Sequence, residues 1–502
     1  ARIILGPEMS IQAPPNLSPG ALERLVAAGI NDWGGVSPVT PDHVNPEAAW
    51  PHLELLRDAT ARAGKQLVAR LPLYPRYVEG LREWVDPGLH RLVLERVDAT
   101  GFARTDDWHP GDREAPLPRP AGRAVCSAGT GLMRVIDKAR SGRRLEEGEI
   151  LLLFSSRGGD FERVCQAADE LRQEVNGDRV SYVVNRNINY TNICYFGCRF
   201  CAFSKGRVRE NLRERGYLLS LEEIRRRVRE ARARGATEVC LQGGIHPDFT
   251  GETYLQITRA VRKADPDIHI HAFSPLEVSH GAQTLGLPVG EFLGELKRAG
   301  LGTLPGTAAE ILDDEIRSVI CPDKLDTREW LQVVRAAHEA GLNTTATIMF
   351  GHVESPRHWA RHLLRVRDLQ AETGGFTEFV PLPYVHMQAP LSLKGLARPG
   401  PTYRETVLMH AVARLVLHPL IVNIQASWVK LGPEVLKSCL SAGVNDLGGT
   451  LMNESISRAA GAGFGQELPP EQICAIVRQA GRRPVQRNTL YGEVDGDRRN
   501  IA

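Results

Sequence analysis

The sequence predicts an α/β protein whose main unit is a (βα)8 barrel. From residue 181 onward, short apolar and β-branched runs alternate with longer amphipathic stretches, a pattern typical of parallel strands joined by helices. Eight strands are predicted, at residues 182–193, 237–242, 267–273, 301–306, 344–350, 377–383, 421–427 and 444–448. A chain of 502 residues has room for this TIM-like barrel and a second unit.

Residues 1–103 are predicted to be the C-terminal remnant of a second barrel of the same kind. Three blocks near the start of the chain recur, in the same order, near its end. The pairs are IQA at 11–13 and 424–426, AGINDWGG at 28–35 with AGVNDLGG at 442–449, and AGKQLVARLPLY at 63–74 with AGRRPVQRNTLY at 480–491. Because the order and approximate spacing are kept, chance similarity of Gly-rich loops is the weaker explanation. The chain would then begin inside the first barrel, so we expect an incomplete sequence.

Two segments connect this remnant to the complete barrel. Residues 104–130 are rich in Pro, Gly and charge, which predicts a surface linker. Residues 131–180 are predicted to be a helical lead-in to the barrel, which occupies 181–502 with a C-terminal extension. Two apolar faces at helical spacing support the helices, namely Leu132, Val135 and Ile136, and Phe161, Val164, Ala168 and Leu171.

The composition favours a protein that acts on small molecules. Lys and Arg together number 62 and Asp and Glu 60, so no strong field attracts nucleic acid or an anionic membrane. No apolar run reaches the length of a membrane span, and the first ten residues lack a signal-peptide pattern. Nine cysteines, six of them scattered, do not form a secreted disulfide framework. We therefore expect a soluble, cytoplasmic protein.

The strongest motif follows the first predicted strand, where the chain reads NYTNICYFGCRFCAFSKG. It places Cys194, Cys198 and Cys201 in a CxxxCxxC spacing at the C-terminal mouth of the barrel, where such folds keep their active sites. Three thiolates would leave one iron of a [4Fe-4S] cluster open, as a catalytic metal requires. Two alternatives are a zinc site that borrows His246 or His271 and three buried structural thiols. The absence of a second CxxC in the sequence disfavours zinc.

The spacing CxxxCxΦC, with Phe200 as the aromatic Φ, resembles the signature of the radical S-adenosylmethionine superfamily. The resemblance implies that the three cysteines hold a [4Fe-4S] cluster, that S-adenosyl-L-methionine binds its open iron, and that Phe200 lies beside the adenine. It also implies a radical SAM core at about 181–425. In such enzymes the cofactor performs the difficult chemistry, and the protein orients and shields it.

The same resemblance implies further residues that contact S-adenosyl-L-methionine. LQGG, with Gln242, Gly243 and Gly244, is similar to the family's GGE segment, although Ile245 replaces the acidic residue, so only the backbone role is carried over. Polar contacts to the methionyl or ribose groups are implied for three residues after the third and fourth strands. These are Ser274 and Glu277 in HAFSPLE and Glu310 in GTAAEIL.

The string YVVNRNINYTNICYFGCRFCAFSKG resembles one branch of the superfamily more closely. This branch contains the deazaflavin (FO) synthases, aminofutalosine synthase and the dehypoxanthine futalosine cyclase. The N-terminal NDWGGVSPVTPDHVNPEAAWP makes the architecture similar to that of the fused FO synthases. This similarity implies that the complete barrel breaks the Cα–Cβ bond of L-tyrosine and transfers the 4-hydroxybenzyl group to 5-amino-6-(D-ribitylamino)uracil.

The resemblance also implies an electron donor such as a ferredoxin or flavodoxin, and release of iminoacetate, methionine and 5'-deoxyadenosine. The first barrel, which has no CxxxCxxC in this sequence, could not perform the ring-closing step. An aminofutalosine synthase-like enzyme of menaquinone biosynthesis is the nearest alternative. An iron-sulfur electron carrier, which requires a fourth cysteine near the cluster, and a zinc-stabilised scaffold are alternatives of other classes.

Candidate catalytic residues are Asn185, Asn187 and His352. Asn185 and Asn187 alternate with Asn189 along the first strand, so all three share a face and could bind uracil or the tyrosine head group. A polar inner layer around water is the alternative. His352, at the end of the fifth strand in MFGHVE, could move protons or bind substrate, or could be structural. Asn445 and Asp446 recur in the first copy, which favours a shared structural or cofactor role.

Overall fold

The computed structural model describes residues 1–37, 39–118, 130–205, 216–492 and 494, and it confirms the barrel. Its strands are short and follow the predicted order. They are β1 (Arg179–Val183), β2 (Asn185–Asn189), β3 (Glu238–Gln242), β4 (His269–Ala272), β5 (Thr303–Leu304), β6 (Asn343–Phe350), β7 (Phe376–Pro383), β8 (Asp446–Gly449) and β9 (Arg483–Gln486).

Parallel pairing runs around the whole ring. Strands β2 to β7 form one six-stranded parallel sheet, and β1 pairs with β8 and β9 in a second. Ile424 bridges Phe379 of β7, and Gln425 bridges Asp446 of β8, so residues 424–425 take the place of the predicted seventh strand. Only Val184 separates β1 from β2. The structure therefore has strands at seven of the eight predicted positions, the first divided into β1 and β2, and only isolated bridges at the seventh. Strand β9 is an unpredicted addition outside β1.

Helices cover the outside of the barrel. Their ranges are α10 (Leu221–Ala233), α11 (Gly251–Ala264), α12 (Pro275–Leu285), α13 (Val289–Ala299), α14 (Asp314–Ile320), α15 (Thr327–Glu339), α16 (Pro356–Thr373), α17 (Pro390–Leu393), α18 (Tyr403–Leu417), α19 (Trp428–Leu440), α20 (Ile456–Ala459) and α21 (Pro470–Gln479). Helix α15 shows how the sequence sets such an element. The Asp326 side chain accepts from the Glu329 amide in a capping box, and Trp330 and Val334 are buried on the core side.

Three helices precede the barrel, as predicted. They are α7 (Thr130–Arg140), α8 (Glu147–Phe154) and α9 (Gly159–Asn176). The apolar face of α7 is buried, and so is that of α9 apart from the partly exposed Phe161. Helix α8 packs against α16 and α18, and its Phe154 ring lies 5.1 Å from that of Trp359. These helices are therefore part of the barrel's hydrophobic core.

The segment before them differs from the surface location expected of a linker. Over the described residues 104–118, Trp108 is only 2% exposed and belongs to the barrel core. Arg104 donates to the carbonyl oxygens of Gly400 at 3.0 Å and Pro401 at 3.2 Å. The Gly111 amide donates to the Lys430 carbonyl at 2.7 Å. Composition indicated a loop correctly, but a buried Trp and an Arg that binds backbone carbonyls attach it to the barrel. Residues 119–129 of the predicted linker lie outside the described part.

The N-terminal segment has helices and a small core of its own. The helices are α1 (Arg2–Leu5), α2 (Leu22–Ala27), α3 (Leu53–Arg62), α4 (Pro75–Glu79), α5 (Leu81–Trp84) and α6 (His90–Arg96), with 3-10 turns at Pro15–Leu17 and Pro87–Leu89. Its core consists of Leu22, Val26, Trp33, Leu56 and Ala59. Five such side chains form a much smaller core than the barrel has.

The sequence repeat is also a repeat of geometry. In each copy a Gln forms a parallel bridge with an Asp, the Asp accepts from an Arg, and the Arg lies over a Tyr ring. The sets are Gln12, Asp32, Arg70 and Tyr74, and Gln425, Asp446, Arg487 and Tyr491. The Arg Nε lies 2.6 Å from the Asp Oδ2 in both copies. This agreement supports the proposal that residues 1–103 correspond to the end of a second barrel.

None of the helices in the described ranges is both long enough and apolar enough to span a bilayer.

Candidate active site

A cavity of about 430 Å³ opens among the C-terminal ends of the barrel strands. A volume in this range is ordinary for small-molecule sites. The cavity brings together every predicted site residue except His352. Those that line it are Asn185, Asn187, Cys194, Cys198, Phe200, Cys201, Gln242, Gly243, Gly244, Ser274, Glu277 and Glu310.

The cysteine loop leaves β2 and is held at both flanks. On one side, the Tyr195 amide donates to the Ile245 carbonyl at 3.1 Å, just beyond β3. On the other, the Gly197 amide donates to Asp323 Oδ2 at 2.6 Å, and the Arg199 amide donates to the Ile320 carbonyl at 2.9 Å. Backbone amides, rather than side chains, thus fix the path of the loop. All three cysteines line the cavity, and the Ser204 amide donates to Cys201 Sγ at 3.4 Å.

The three thiols have the chemistry that an iron-sulfur cluster requires. Cys194, Cys198 and Cys201 form no disulfide and all line the cavity. Burial raises the pKa of Cys198 to about 12 and also raises that of Cys201, while the Lys324 ammonium acts in the opposite direction on both. Buried thiols that open onto a cavity become thiolates when a metal displaces their protons. The residues present therefore fit a cluster held by three cysteines.

The spacing of the thiols argues against a single zinc ion. Within the described part of the chain, no three-residue group that includes these cysteines has all its ligand atoms within 4.8 Å of one another. Four ligands around one zinc would lie closer, at roughly 3.8 Å for Zn–S bonds of about 2.3 Å. His271, one suggested fourth ligand, hydrogen-bonds Thr303 Oγ1 at 2.7 Å. In a cluster each cysteine binds a different iron, which suits a wider spacing.

The predicted glycine pair lies against the cysteine loop. A Cβ on Gly243 would lie 2.3 Å from the Tyr190 ring, and one on Gly244 would lie 2.3 Å from the Ile193 carbonyl oxygen. The Gly244 amide also donates to the Thr191 carbonyl at 2.9 Å. The glycines thus allow the end of β3 to approach the loop that carries the thiols.

Ser274 and Glu277 form a buried network. They form the capping box of α12, with Glu277 Oε2 accepting from Ser274 Oγ at 2.6 Å and from the Ser274 amide at 2.7 Å. The Tyr190 hydroxyl donates to Glu277 Oε1. Burial raises the pKa of Glu277. Because both carboxyl oxygens are engaged, we expect Glu277 to position the loop and the glycine pair as well as any ligand.

Glu310 is paired with a lysine that sequence reasoning had not selected. Lys324 Nζ lies 2.8 Å from Glu310 Oε1 and 5.3 Å from the centre of the Phe200 ring. Glu310 has a φ of 46°, which is rare for a residue with a side chain, so its direction is held by the surrounding structure. The pair places a charge-neutral but strongly polar group next to the predicted adenine-contacting aromatic.

The three asparagines of β2 have different environments. Asn185 donates to Glu238 Oε1 at 2.8 Å and accepts from the Leu451 amide at 2.9 Å. Asn187 lines the cavity, and its buried Oδ1 has no hydrogen-bond partner. Asn189 instead accepts from Ser455 Oγ at 2.8 Å and is outside the cavity lining. Asn187 is therefore the one of these three asparagines whose side-chain acceptor is unused.

The structure does not bring His352 to the cavity. Its side chain is fully buried, Nδ1 lies 2.7 Å from Glu354 Oε2, and Nε2 lies 3.3 Å from the Met349 carbonyl. Glu354 also pairs with Arg398 at 3.4 Å. The strand end predicted for His352 is right, but the ring turns into the protein, where it joins a charged network. A structural role therefore replaces the catalytic one that we expected.

Sequence reasoning missed the polar residues deeper in the cavity and two at its mouth. They are Glu238, Glu378, Arg487 and Thr489 inside the barrel, and Lys430 and Glu454 near the mouth; His271, named only as a possible zinc ligand, also lines the cavity. Glu238 could have been found as a lone charge in the apolar run TEVCL, and Arg487 as the Arg of the repeated block. Lys430 lies at the start of a helix and Glu454 lies in a loop, and at neither position does the sequence show a periodic hydrophobic pattern.

Cys321 is close enough to Cys198 to raise its pKa, as an iron-sulfur electron carrier would need from a fourth cysteine. However, Cys321 is buried and does not line the cavity. An electron carrier also has no use for a cavity of about 430 Å³ beside its cluster ligands. The geometry favours an enzyme.

Comparison with known families agrees with this geometry. Residues 188–366 match the model of the Radical SAM superfamily, and residues 373–499 match that of the CofH/MqnC C-terminal region. Among solved structures, methylornithine synthase (PylB) aligns with a TM-score of 0.56 at 18% identity, covering 70% of this chain and 97% of that one. The [FeFe]-hydrogenase maturase HydG aligns with a TM-score of 0.56 at 16% identity, covering 72% and 77%. At such identities the likeness concerns the fold alone.

Curated proteins are much more similar in sequence. FO synthase of Streptomyces avermitilis is 44% identical over 100% of this chain and 63% of its own length, and FO synthase of Mycobacterium tuberculosis is 45% identical over 98% and 62%. The chain thus spans about 63% of the length of these relatives. The 5-amino-6-(D-ribitylamino)uracil–L-tyrosine 4-hydroxyphenyl transferase of Methanopyrus kandleri is 53% identical over 66% of this chain and 89% of that protein.

Proposed function

The chain belongs to the branch of the radical S-adenosylmethionine superfamily that contains FO synthase and the tyrosine 4-hydroxyphenyl transferase, and we propose that its barrel has the transferase activity. Members of this superfamily use a [4Fe-4S] cluster and S-adenosyl-L-methionine. The proposed substrates are L-tyrosine and 5-amino-6-(D-ribitylamino)uracil, and the proposed reductant is a ferredoxin or flavodoxin. The proposed reaction breaks the Cα–Cβ bond of tyrosine and transfers the 4-hydroxybenzyl group to the uracil.

One observation carries this proposal: the three thiols share a cavity with polar groups that are not fully used by the protein. Asn187 Oδ1 is a buried acceptor without a partner, and Asn187 lines the same cavity as Cys194, Cys198 and Cys201. An acceptor of this kind suits the N–H groups of a uracil or an amine. A site that only transferred electrons would not need such groups.

The chain's own residues have three proposed tasks. Cys194, Cys198 and Cys201 would hold the cluster. Together, the bound cluster and S-adenosyl-L-methionine would supply a 5'-deoxyadenosyl radical that can remove a hydrogen atom from tyrosine. Phe200 and the backbone at Gly243 and Gly244 would orient the cofactor. The barrel wall would exclude water and hold both substrates in contact, which matters because a reactive fragment must meet its acceptor before it escapes.

The proposal is tested by anaerobic turnover of the reconstituted full chain with both substrates, reductant and S-adenosyl-L-methionine, followed by mass spectrometry. We expect 5'-deoxyadenosine together with the 4-hydroxybenzyl adduct of the uracil. Cys198→Ala should lose both products, since it removes a cluster ligand. Cys474→Ala, in α21 and outside the cavity lining, is the matched control and should retain them. Formation of 5'-deoxyadenosine without adduct would contradict the substrate assignment.

A further inference from the structure

Two charged side chains at the mouth of the cavity have no role in the chemistry described above. Lys430 lies in the first turn of α19, and Glu454 lies between β8 and α20. Both line the cavity that the cysteine loop enters. Loops that follow barrel strands are where such folds place groups that bind substrates.

Their bonding within the protein is incomplete. Lys430 Nζ donates to Ser457 Oγ at 3.0 Å, although an ammonium carries three N–H donors. Glu454 Oε1 accepts from the Ser457 amide at 2.8 Å, whereas its buried Oε2 has no hydrogen-bond partner. A buried carboxylate oxygen without a partner is unfavourable, so a ligand that donates an N–H there gains from satisfying it.

The two charges lie near Ser457 but form no ion pair with each other in the described ranges of the chain. The nearby Lys324 and Glu310 differ in this respect, since they are already paired at 2.8 Å. Separated opposite charges that face one cavity fit a ligand that carries both charges on neighbouring atoms. The head group of a free α-amino acid is such a ligand, because its ammonium and carboxylate are attached to one carbon.

The N-terminal copy provides an internal comparison. Counting from the nearest shared blocks, IQA for the first residue and AGINDWGG and AGVNDLGG for the second, Lys430 corresponds to Leu17 and Glu454 to Thr40. Leu17 is an exposed apolar residue and Thr40 is neutral, so neither charge is present in this copy. The Arg and Asp that close each copy are kept, whereas this pair of charges is not. The shared Gln, Asp, Arg and Tyr arrangement thus forms in the first copy without these two charges, which favours a role in binding.

We propose that Lys430 binds the carboxylate and Glu454 the ammonium of the amino-acid substrate. This inference rests on the proposed function, in which that substrate is L-tyrosine, and it assigns the head-group contacts that the function leaves open. It also makes the mouth of the cavity selective for a zwitterion over an amine or an acid of the same shape.

The test measures binding rather than turnover. The full chain, with its cluster reconstituted and S-adenosyl-L-methionine present but no reductant, is dialysed against L-tyrosine, tyramine or 3-(4-hydroxyphenyl)propanoate. We expect the wild type to bind tyrosine at least about tenfold more tightly than either analogue, because each lacks one charge-assisted contact. Lys430→Met should raise the Kd for tyrosine about 10- to 100-fold and leave that for tyramine unchanged. Glu454→Gln should raise the Kd for tyrosine by a similar factor and leave the Kd for 3-(4-hydroxyphenyl)propanoate unchanged.

The controls use a charged pair on the same helix that does not line the cavity. Lys437 lies 2.7 Å from Glu434, and both side chains are largely outside the cavity region, so Lys437→Met and Glu434→Gln should bind tyrosine like the wild type. Retained binding of the matched analogue shows that each variant is folded. If Lys430→Met does not fold, Lys430→Gln makes the same comparison.

Three outcomes are distinct. The inference is supported if each variant loses affinity for tyrosine but keeps its affinity for the analogue that lacks the corresponding charge. Equal losses for tyrosine and the matched analogue, or no loss, overturn it while the transferase proposal stands if turnover yields the adduct. A wild type that binds neither tyrosine nor its analogues overturns both.

Discussion

At the scale of single residues, the interior of the barrel contains charged side chains that hydrogen-bond to the same partner. Arg487 donates to Asp446 Oδ2 at 2.6 Å and to Glu378 Oε2 at 3.1 Å, so two carboxyl groups depend on one guanidinium. The Tyr491 hydroxyl also donates to Glu378. Burial, opposed by Arg487, raises the pKa of Glu378 to about 7. The folded protein thus binds this proton more tightly than the unfolded chain does.

This difference predicts a pH dependence of stability. Because the folded-state pKa lies above the ordinary value of 4.5, the contribution of Glu378 to the free energy of unfolding is largest at low pH and is lost as pH rises to about 7. The loss is at most on the order of 3 kcal/mol. Glu378→Gln should flatten the slope between pH 4.5 and about pH 7, measured by urea denaturation. Glu339→Gln, on the exposed end of α15, should keep the wild-type slope, and equal slopes for wild type and Glu378→Gln would contradict the prediction.

Residues were predictable from the sequence where a motif fixed both identity and position. The cysteines, Phe200 and the glycine pair all reach the cavity because the strand and loop that carry them were placed correctly. The expectation that His352 lines the cavity was wrong, because a strand end fixes where a residue lies but not which way its ring turns. Lys430 and Glu454 were missed because a charge at a helix start or in a loop looks the same in sequence whether it faces solvent or a cavity.

At the scale of elements, the close approach of β3 to the cysteine loop is the critical contact. A Cβ on Gly244 would lie 2.3 Å from the Ile193 carbonyl oxygen and 2.8 Å from the Cys194 Cβ. Backbone atoms cannot yield as a flexible side chain can, so the loop itself would have to move.

We therefore expect Gly244→Ala to lower the iron bound per chain after reconstitution several-fold. Overpacking of this kind costs about 1–3 kcal/mol, enough to displace a loop without unfolding a barrel. Iron and sulfide analysis of the purified protein measures the effect. Gly290→Ala, in α13, is the control, because a Cβ there meets nothing within 4 Å. Full iron content in Gly244→Ala would show that the loop tolerates the displacement.

The order of the strands and helices along the chain was predictable from the sequence, whereas the length and pairing of individual strands were not. Alternation of apolar runs and amphipathic stretches located all eight positions of the ring, since that pattern reflects burial in a parallel sheet. The seventh is reduced to bridges at residues 424 and 425, and β9 pairs outside β1. Such details depend on how the ring closes, which local pattern does not encode.

At the scale of the whole molecule, the duplicated Asp–Arg–Tyr unit occurs in two environments. The Arg487 and Asp446 side chains are 5% and 0% exposed, whereas those of Arg70 and Asp32 are 17% and 10% exposed. The Arg487–Asp446 pair therefore lies inside the complete barrel, whereas the equivalent Arg70–Asp32 pair lies in the smaller N-terminal unit.

Removing the two arginines should have unequal effects. Arg487→Met leaves Asp446 buried without its partner, which should lower the free energy of unfolding by about 3–5 kcal/mol. Arg70→Met should cost less, because water can reach Asp32. Urea denaturation of the full chain, followed by tryptophan fluorescence, compares the two. A cost for Arg70→Met that equals or exceeds that of Arg487→Met would show that burial does not set the difference.

The central claim is that one cavity both holds the cluster and joins the two proposed substrates, and the fate of the tyrosine carbons tests it most directly. Tyrosine labelled with one isotope at Cα and another at Cβ is turned over by the full chain with 5-amino-6-(D-ribitylamino)uracil, and the products are analysed by mass spectrometry. We predict that the uracil adduct carries the Cβ label and lacks the Cα label. An adduct that retains both labels, or a labelled fragment that never joins the uracil, would contradict the account.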